Sequence, residues 1–367
     1  MTSRPPELRA AVVEVTNRCN LRCPCCASAS GRARPCEMSL GEMKGVVRDL
    51  AALGCRDFTM LGGEFLLRPD WYDIAGEVKA AGMELQLITN GLLVTPEVRR
   101  RFRALDPQTV CVSIDGASPE SYRAARGVDG FAKCRALLDE LVSDGFRQVS
   151  AITTFNSKNI GDFDVFAEMF RGTDIVWQVQ MAHKGGERFP DELLMTREQY
   201  ATFVEKATHW LYDRYGELKI LVMDDFGYFP LTPKLRFLCQ RWDGCPAGRR
   251  VVGIRANGDV LPCLSLGSEY VEANLRKRPL AEIWNDPGSF PRFRHKSERL
   301  TGKCAKCPMA GRCKAGCTAM AVSQTGKMTE TPFCIRQLES ERIVREMFGE
   351  GDAAPAAKRP RRRGGRR

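Results

Sequence analysis

The chemistry in this sequence starts with its sixteen cysteines, which are not evenly spread over the 367 residues. Cys19, Cys23 and Cys26 stand at CxxxCxxC spacing in the run RCNLRCPCC. Eight more, Cys239, Cys245, Cys263, Cys304, Cys307, Cys313, Cys317 and Cys334, fall where prolines and glycines multiply and regular periodicity fades. Thiols grouped this closely suit metal, and two chemistries fit: iron–sulfur clusters or tetrahedral zinc. A cubane normally takes four thiolates, so a triplet without a fourth neighbour suggests a cube with one iron open to another ligand. Zinc completed by a remote residue is the competing reading.

Loops of this kind need elements to hold them. Short β-rich runs at 11–16, 57–61, 84–89, 109–114, 148–154 and 175–180 alternate with helical patterns at 40–53, 71–81, 96–105, 131–144 and 163–170. A further helical pattern covers 197–215. Repeated β-then-α order means right-handed crossovers and a parallel sheet with helices outside, either open or partly closed into a barrel. In both cases ligands collect at the C-terminal ends of the strands. The residues just past strands one to four are Asn17 to Cys26, Gly62 to Glu64, Asn90-Gly91 and Asp115-Gly116, all polar, glycine-rich or cysteine-rich. They would form one face. Downstream, a run at 251–255 and another at 260–261 flank Asn257-Gly258, a hairpin signal.

The cysteine triplet after the first strand, with Gly62-Gly63-Glu64 after the second, resembles the radical S-adenosylmethionine (radical SAM) superfamily. Thr89-Asn90-Gly91 and Ser113-Ile114-Asp115-Gly116 extend the likeness over most of 11–225. The resemblance implies a partial (β/α)6 barrel, an α/β fold, with Cys19, Cys23 and Cys26 holding a [4Fe–4S] cluster whose open iron chelates SAM. It also implies that Gly62, Gly63, Glu64, Asn90 and Ser113 contact SAM. Such enzymes cleave SAM reductively to a 5′-deoxyadenosyl radical that takes hydrogen from a substrate. Two positions depart from the pattern: Cys25 replaces a usual aromatic, and Phe65 replaces a usual proline.

The eight later cysteines are similar to the SPASM extension, a small irregular domain stapled by two auxiliary [4Fe–4S] clusters. By that likeness Cys239, Cys245, Cys263 and Cys317 hold one, and Cys304, Cys307, Cys313 and Cys334 the other. The chain then divides into an N-terminal extension (1–10), the core (11–225), the SPASM domain (226–348) and a disordered basic tail (349–367). Cys111 and Cys134 read as core residues, and His183 and Asp115 sit on the ligand side, Asp115 being the candidate catalytic group.

Composition limits the partners. With 43% hydrophobic and 28% charged residues the chain can build a core. No apolar run is long enough for a membrane span or signal peptide, which predicts a cytoplasmic protein with reduced thiols. The formal charge of +11 points first to nucleic acid, yet seven basic residues and one acid of it lie in the last sixteen residues. The cluster thiolates would neutralise much of the rest, so nucleic acid is not the expected partner.

The function expected is hydrogen abstraction from an unactivated C–H bond, leading to oxidative modification or cross-linking of a peptide. Dehydrogenation or rearrangement of a small molecule such as an aminosugar or nucleoside-linked sugar is the alternative. Because the core starts near residue 11, a peptide substrate is expected to need either a separate leader-peptide-binding protein or a recognition mode within the SPASM region, with flavodoxin or ferredoxin as reductant. Relatives that mature sulfatases carry an acid just after the cysteine matching Cys263; Leu264 stands here, against that activity. A non-enzymatic zinc-ribbon protein would explain the cysteines and the tail but not the motifs after successive strands. Anaerobically purified protein should therefore be brown and carry about twelve irons with matching sulfide. Stoichiometric zinc without sulfide would overturn the iron–sulfur reading.

Overall fold

The computed structural model describes residues 6–185, 188–223, 228–239 and 242–348. Among these a ten-stranded sheet runs in the order β10-β9-β8-β1-β2-β3-β4-β5-β6-β7. Its strands are β1 (Ala10–Glu14), β2 (Asp57–Leu61), β3 (Glu84–Thr89), β4 (Thr109–Ser113), β5 (Val149–Phe155), β6 (Val176–Met181), β7 (Ile220–Val222), β8 (Val251–Ile254), β9 (Asp259–Leu261) and β10 (Ala273–Asn274). From β1 to β7 every pairing is parallel, and the curved sheet does not close into a full barrel. The six expected strands are present. The short Ile-Leu-Val run of β7 adds a seventh, too brief to show a period in the sequence.

Period-two alternation builds the two faces of this sheet. Phe58 and Met60 of β2, Leu85 and Leu87 of β3, and Trp177 and Val179 of β6 are fully or almost fully buried. They meet helices on the convex side; Trp177, for instance, lies among Phe155, Phe163, Phe166 and Phe170. The residues between them, Thr59, Gln86, Gln178 and Gln180, turn to the concave side and line a cavity.

Local signals start the helices. Ser39 and Glu42 form a capping box before Leu40–Ala52, and Thr95 caps Pro96–Leu105. Helix Pro119–Arg126, absent from the expectation above, begins the same way: Ser118 caps it and Pro119 takes its first turn. The expected helix over 197–215 is α-helical as Arg197–Thr208 and passes into a π-helical turn at His209–Asp213.

The C-terminal region is joined to the sheet rather than appended to it. β8 pairs parallel with β1, from Ala10 with Val251 to Val13 with Ile254, and β9 turns back antiparallel on β8. The Asn257-Gly258 hairpin is thus formed, with Gly258 at φ +88°. The expected domain junction at 225/226 and the tail over 349–367 lie outside the described residues, as do residues 1–5. No helix among the described residues is long and apolar enough to cross a membrane.

Residues 6–9 bind both halves. Leu8 is fully buried, Arg9 N–H donates to Arg250 O, and Trp284 Nε1 donates to Pro6 O at 2.7 Å. Leu8→Ala should cost about 2–5 kcal/mol, the range for emptying a buried leucine site. Thermal unfolding checks this: a midpoint equal to wild type would show that this segment does not hold the core.

Candidate active site

The loop after β1 is closed on itself before it presents any sulfur. Cys19 N–H donates to Gly31 O at 3.3 Å and Gly31 N–H to Asn17 O at 3.0 Å, so the cysteine run is one lobe tied at its base. Glu37 secures that base by accepting from Thr16 Oγ1, Asn17 N–H and Arg34 N–H. The lobe sits on the turn after β2. Gly63 N–H donates to Thr16 O at 2.8 Å and Glu64 N–H to Arg18 O at 2.7 Å. A Cβ on Gly62 would stand 2.3 Å from Thr16 O, and one on Gly63 2.3 Å from Arg18 O. These glycines are therefore required where two backbones touch, whatever ligand they also approach.

Cys19, Cys23 and Cys26 line one cavity of about 440 Å³ on the concave face, and Cys25 lines it too. Their sulfurs already receive N–H donors. Leu21 N lies 3.3 Å from Cys19 Sγ, Ser30 N 3.5 Å from Cys26 Sγ, and Arg126 Nη1 3.7 Å from Cys23 Sγ. Burial pushes Cys19 up to about 11 and Cys25 up to about 12. Thiols so placed ionise when a positive core replaces lost water, the behaviour of metal ligands. Among the described residues no three His, Cys, Asp or Glu converge as ligands of one ion would. A four-iron cube instead meets its thiolates one to each iron.

Around the sulfurs stand the other strand ends. Gly62, Gly63, Asn90, Ser113, Asp115 and His183 all line this cavity. Asn90 Nδ2 donates to Asn20 Oδ1 at 2.8 Å and lies 3.9 Å from Cys19 Sγ, fixing the third strand end to the lobe. Glu64 is fully buried and faces β3: Oε2 accepts from Asn90 N–H at 2.8 Å and Oε1 from Thr89 Oγ1 at 2.9 Å. Burial pushes its carboxyl up to about 7 against those donors. Burial also holds His183 towards its neutral form.

Arg126, at the end of the unanticipated helix, is the largest addition to the site. Its side chain is 13% exposed, its Nη2 lies 2.7 Å from an oxygen of Asp115, and its buried Nε has no acceptor among the described residues. Asp115 also accepts from Thr154 N–H at 2.7 Å, and burial pushes its carboxyl up against both donors. The pair puts a fixed positive charge beside Cys23. Its sequence signal was Ser118-Pro119, a helix start whose last turn brings a basic residue back to the strand ends.

The C-terminal cysteines also gather. Cys304, Cys307, Cys313 and Cys334 are mutual electrostatic neighbours, and burial first, then these neighbours, push Cys313 up to about 12 and Cys334 up to about 11. Cys245 and Cys317 lie near Lys296, a buried ammonium whose partners are the neutral oxygens Gly316 O and Thr318 Oγ1. An unpaired buried cation is costly unless negative charge stands close by. Thiolate-ligated clusters would supply it. Cys263 sits just after β9, while the side chain of Cys239 lies outside the described residues.

Residues 13–170 match the Radical SAM superfamily, and residues 245–308 match SPASM, an iron–sulfur cluster-binding domain. Over 357 residues the chain is 30% identical to the AdoMet-dependent heme synthase of Methanosarcina barkeri, covering 91% of this chain and 97% of that protein. The chain belongs to the radical SAM superfamily. Mycofactocin maturase MftC of Mycobacterium tuberculosis is 28% identical, with 91% and 84% of the two chains covered. The fold of this radical SAM/SPASM protein is also that of SuiB of Streptococcus suis, solved bound to its precursor peptide SuiA. The TM-score is 0.72 at 16% identity, over 89% of this chain and 75% of SuiB.

Asp115→Asn should strand the Arg126 guanidinium beside Cys23 and cost about 3–5 kcal/mol of stability, as breaking a buried ion pair does; a thermal midpoint like wild type would mean the pair holds nothing. Glu64 gives a pH test. Its folded pKa lies above the ordinary 4.5, so the fold favours the protonated acid and its contribution is lost as pH rises from 4.5 to about 7. Against Glu64→Gln, wild type should lose about 3 kcal/mol across that window and no more above it. A pH-independent difference in melting would refute the shift.

Proposed function

We propose that this radical SAM/SPASM enzyme removes hydrogen from an unactivated C–H bond and leads its substrate, a peptide, to oxidative modification or cross-linking. The observation that carries this is the meeting of Cys19, Cys23 and Cys26 with Asn90, Ser113 and the Arg126–Asp115 pair around one polar cavity. When bound, a reduced [4Fe–4S] cluster and SAM would together supply the carbon-centred radical.

The chain's own residues have distinct parts in this reading. The three thiolates hold the cluster, and the N–H donors of Leu21, Ser30 and Arg126 disperse charge on their sulfurs. Gly62, Gly63, Asn90 and Ser113 form the wall for SAM, and Glu64 sets the Thr89-Asn90 segment from behind. The concave glutamines and threonines, Thr59, Gln86, Thr154, Gln178 and Gln180, give a polar seat without a strong base. Two auxiliary clusters on the eight later cysteines would accept the electron that a net oxidation releases. A flavodoxin or ferredoxin would deliver the starting electron, a separate protein would present a leader peptide, and the cytoplasm would keep the thiols reduced.

Likeness to a mycofactocin maturase and the fold shared with a peptide-bound enzyme support the peptide reading. The near full-length similarity to a heme synthase favours a second reading, oxidation of a small molecule at the same cavity.

Replacing Cys19, Cys23 and Cys26 together by Ala should abolish dithionite-dependent cleavage of SAM to 5′-deoxyadenosine while about two thirds of the iron remains on the auxiliary sites. A triple variant that still cleaves SAM would remove these cysteines from the chemistry. Loss of all the iron would instead show that the auxiliary sites do not load independently.

A further inference from the structure

Ala27 and Ser28 belong to two hollows at once. One is the cysteine cavity, and the other is a larger space of about 800 Å³ between the core and the C-terminal region. A third hollow, of about 420 Å³, shares Asn17, Ala29 and Arg34 with the second. Together they form a continuous mouth leading towards the cysteines.

This mouth is strongly cationic. Among the described residues Arg22, Arg32, Arg34, Lys184, Arg188 and Arg255 line it, against the acid Glu269. Two of the cations are already neutralised: Arg34 forms a fork on Glu14, and Lys184 Nζ lies 2.7 Å from Asp191. Among the described residues Arg22, Arg32, Arg188 and Arg255 form no ion pair, although thirty others occur.

Arg255 is the decisive member. It is 7% exposed, and its two amino groups donate to neutral acceptors only, Ser268 Oγ at 2.9 Å and Leu266 O at 3.1 Å. Burial and then the neighbouring Arg34 oppose its charge; Glu14, Asp259 and Glu269 favour it without forming an ion pair with it, and burial still prevails. Arg188 repeats the pattern nearer the surface: Nη2 donates to Ser30 O at 2.5 Å, and its buried Nε has no acceptor among the described residues. A guanidinium taken out of water and given only neutral oxygens is costly, and an anion entering the hollow would recover that cost. Arg255 stands apart on the inner wall, while Arg22, Arg32 and Arg188 line the outer hollow together, so the mouth offers planar forks at two depths and suits a substrate with more than one acid group.

We propose that this mouth is a carboxylate-binding vestibule, with Arg255 on its inner wall and Arg32 and Arg188 at its rim holding acidic groups of the substrate. The rest of the substrate reaches past Ala27 and Ser28 into the cysteine cavity. The assignment rests on the reading of that cavity as the place of reaction and adds the substrate's charge to it. Acidic side chains of a peptide and the acid groups of a small polycarboxylate share this chemistry.

The test is equilibrium dialysis under anaerobic conditions with the full-length, cluster-loaded protein. The probes are a blocked peptide of alternating Glu and Gly, its Gln counterpart, butane-1,2,3,4-tetracarboxylate as a small polycarboxylate, and its methyl ester. At least one acidic probe should bind, with affinity falling as salt rises from about 50 to 300 mM. Neither neutral counterpart should match it. Whichever acidic probe binds distinguishes a peptide from a small-molecule source. Arg255→Gln should weaken that binding by about tenfold or more, the effect of one lost charge-assisted bond. A double variant, Arg32→Gln with Arg188→Gln, should weaken it severalfold; it lies at the rim and decides the matter if the Arg255 variant does not fold. Equal binding of the neutral probes, no binding of either acid, or wild-type affinity in the variants overturns the vestibule. SAM cleavage on the same preparations separates the two readings. Cleavage without acid binding removes the vestibule and leaves the reaction, while acid binding without cleavage removes the reaction and leaves the site.

Discussion

Backbone contact between the cysteine lobe and the Gly62-Gly63 turn is the constraint on which the rest of the site depends. Two N–H···O bonds and two positions without room for a Cβ press the loop after β1 onto the loop after β2. With that contact made, Glu64 is carried inward, where its carboxylate gathers the Thr89-Asn90 segment, and Asn90 reaches back to the lobe through Asn20. Three strand ends are thus locked by a chain of short links before any cofactor is considered. The Arg126–Asp115 pair closes the circuit from the fourth, placing its charge beside Cys23. Preorganisation of this kind keeps thiolates, donors and polar wall within reach of one another without help from the ligand.

The sheet divides its labour by alternation. Outward residues of β2, β3 and β6 pack under helices, while the residues between them make a polar concave wall. On the other flank the C-terminal region depends on charge as well as packing. Lys296 is enclosed near four cysteines and forms no ion pair among the described residues, and Trp242 Nε1 donates to Cys313 O, so the sulfurs and the scaffold around them are settled together.

How much of this the sequence disclosed follows from how local each signal is. The six strands and most helices were legible because period two and period 3.6 are written in neighbouring residues. The cysteine triplet and the glycines were legible because their spacing alone limits the chemistry. Helix Pro119–Arg126 was not, since eight residues give too few turns for a period, and Arg126 was hidden with it. Lys296 and Arg255 look like ordinary surface residues in sequence. Their meaning comes from burial among parts of the chain far away, which no spacing rule reports. The glycines carry a further demand that spacing did not report: besides lining the cavity, they leave no room for a Cβ against the cysteine lobe.

The pairing of β1 with β8 has a consequence for how the molecule is made. β1 is an interior strand of the finished sheet, yet its partner on one side lies roughly 240 residues later in the chain. At about 5–20 residues per second on the ribosome, that edge stays open for roughly 10–50 s after β1 emerges. During this interval the strand that begins the cysteine lobe is an unpaired edge, the kind of surface that invites mispairing. The chain therefore cannot complete its first half until its second half arrives. Closure of the sheet at β1 is therefore a late event, which argues for expressing the protein slowly.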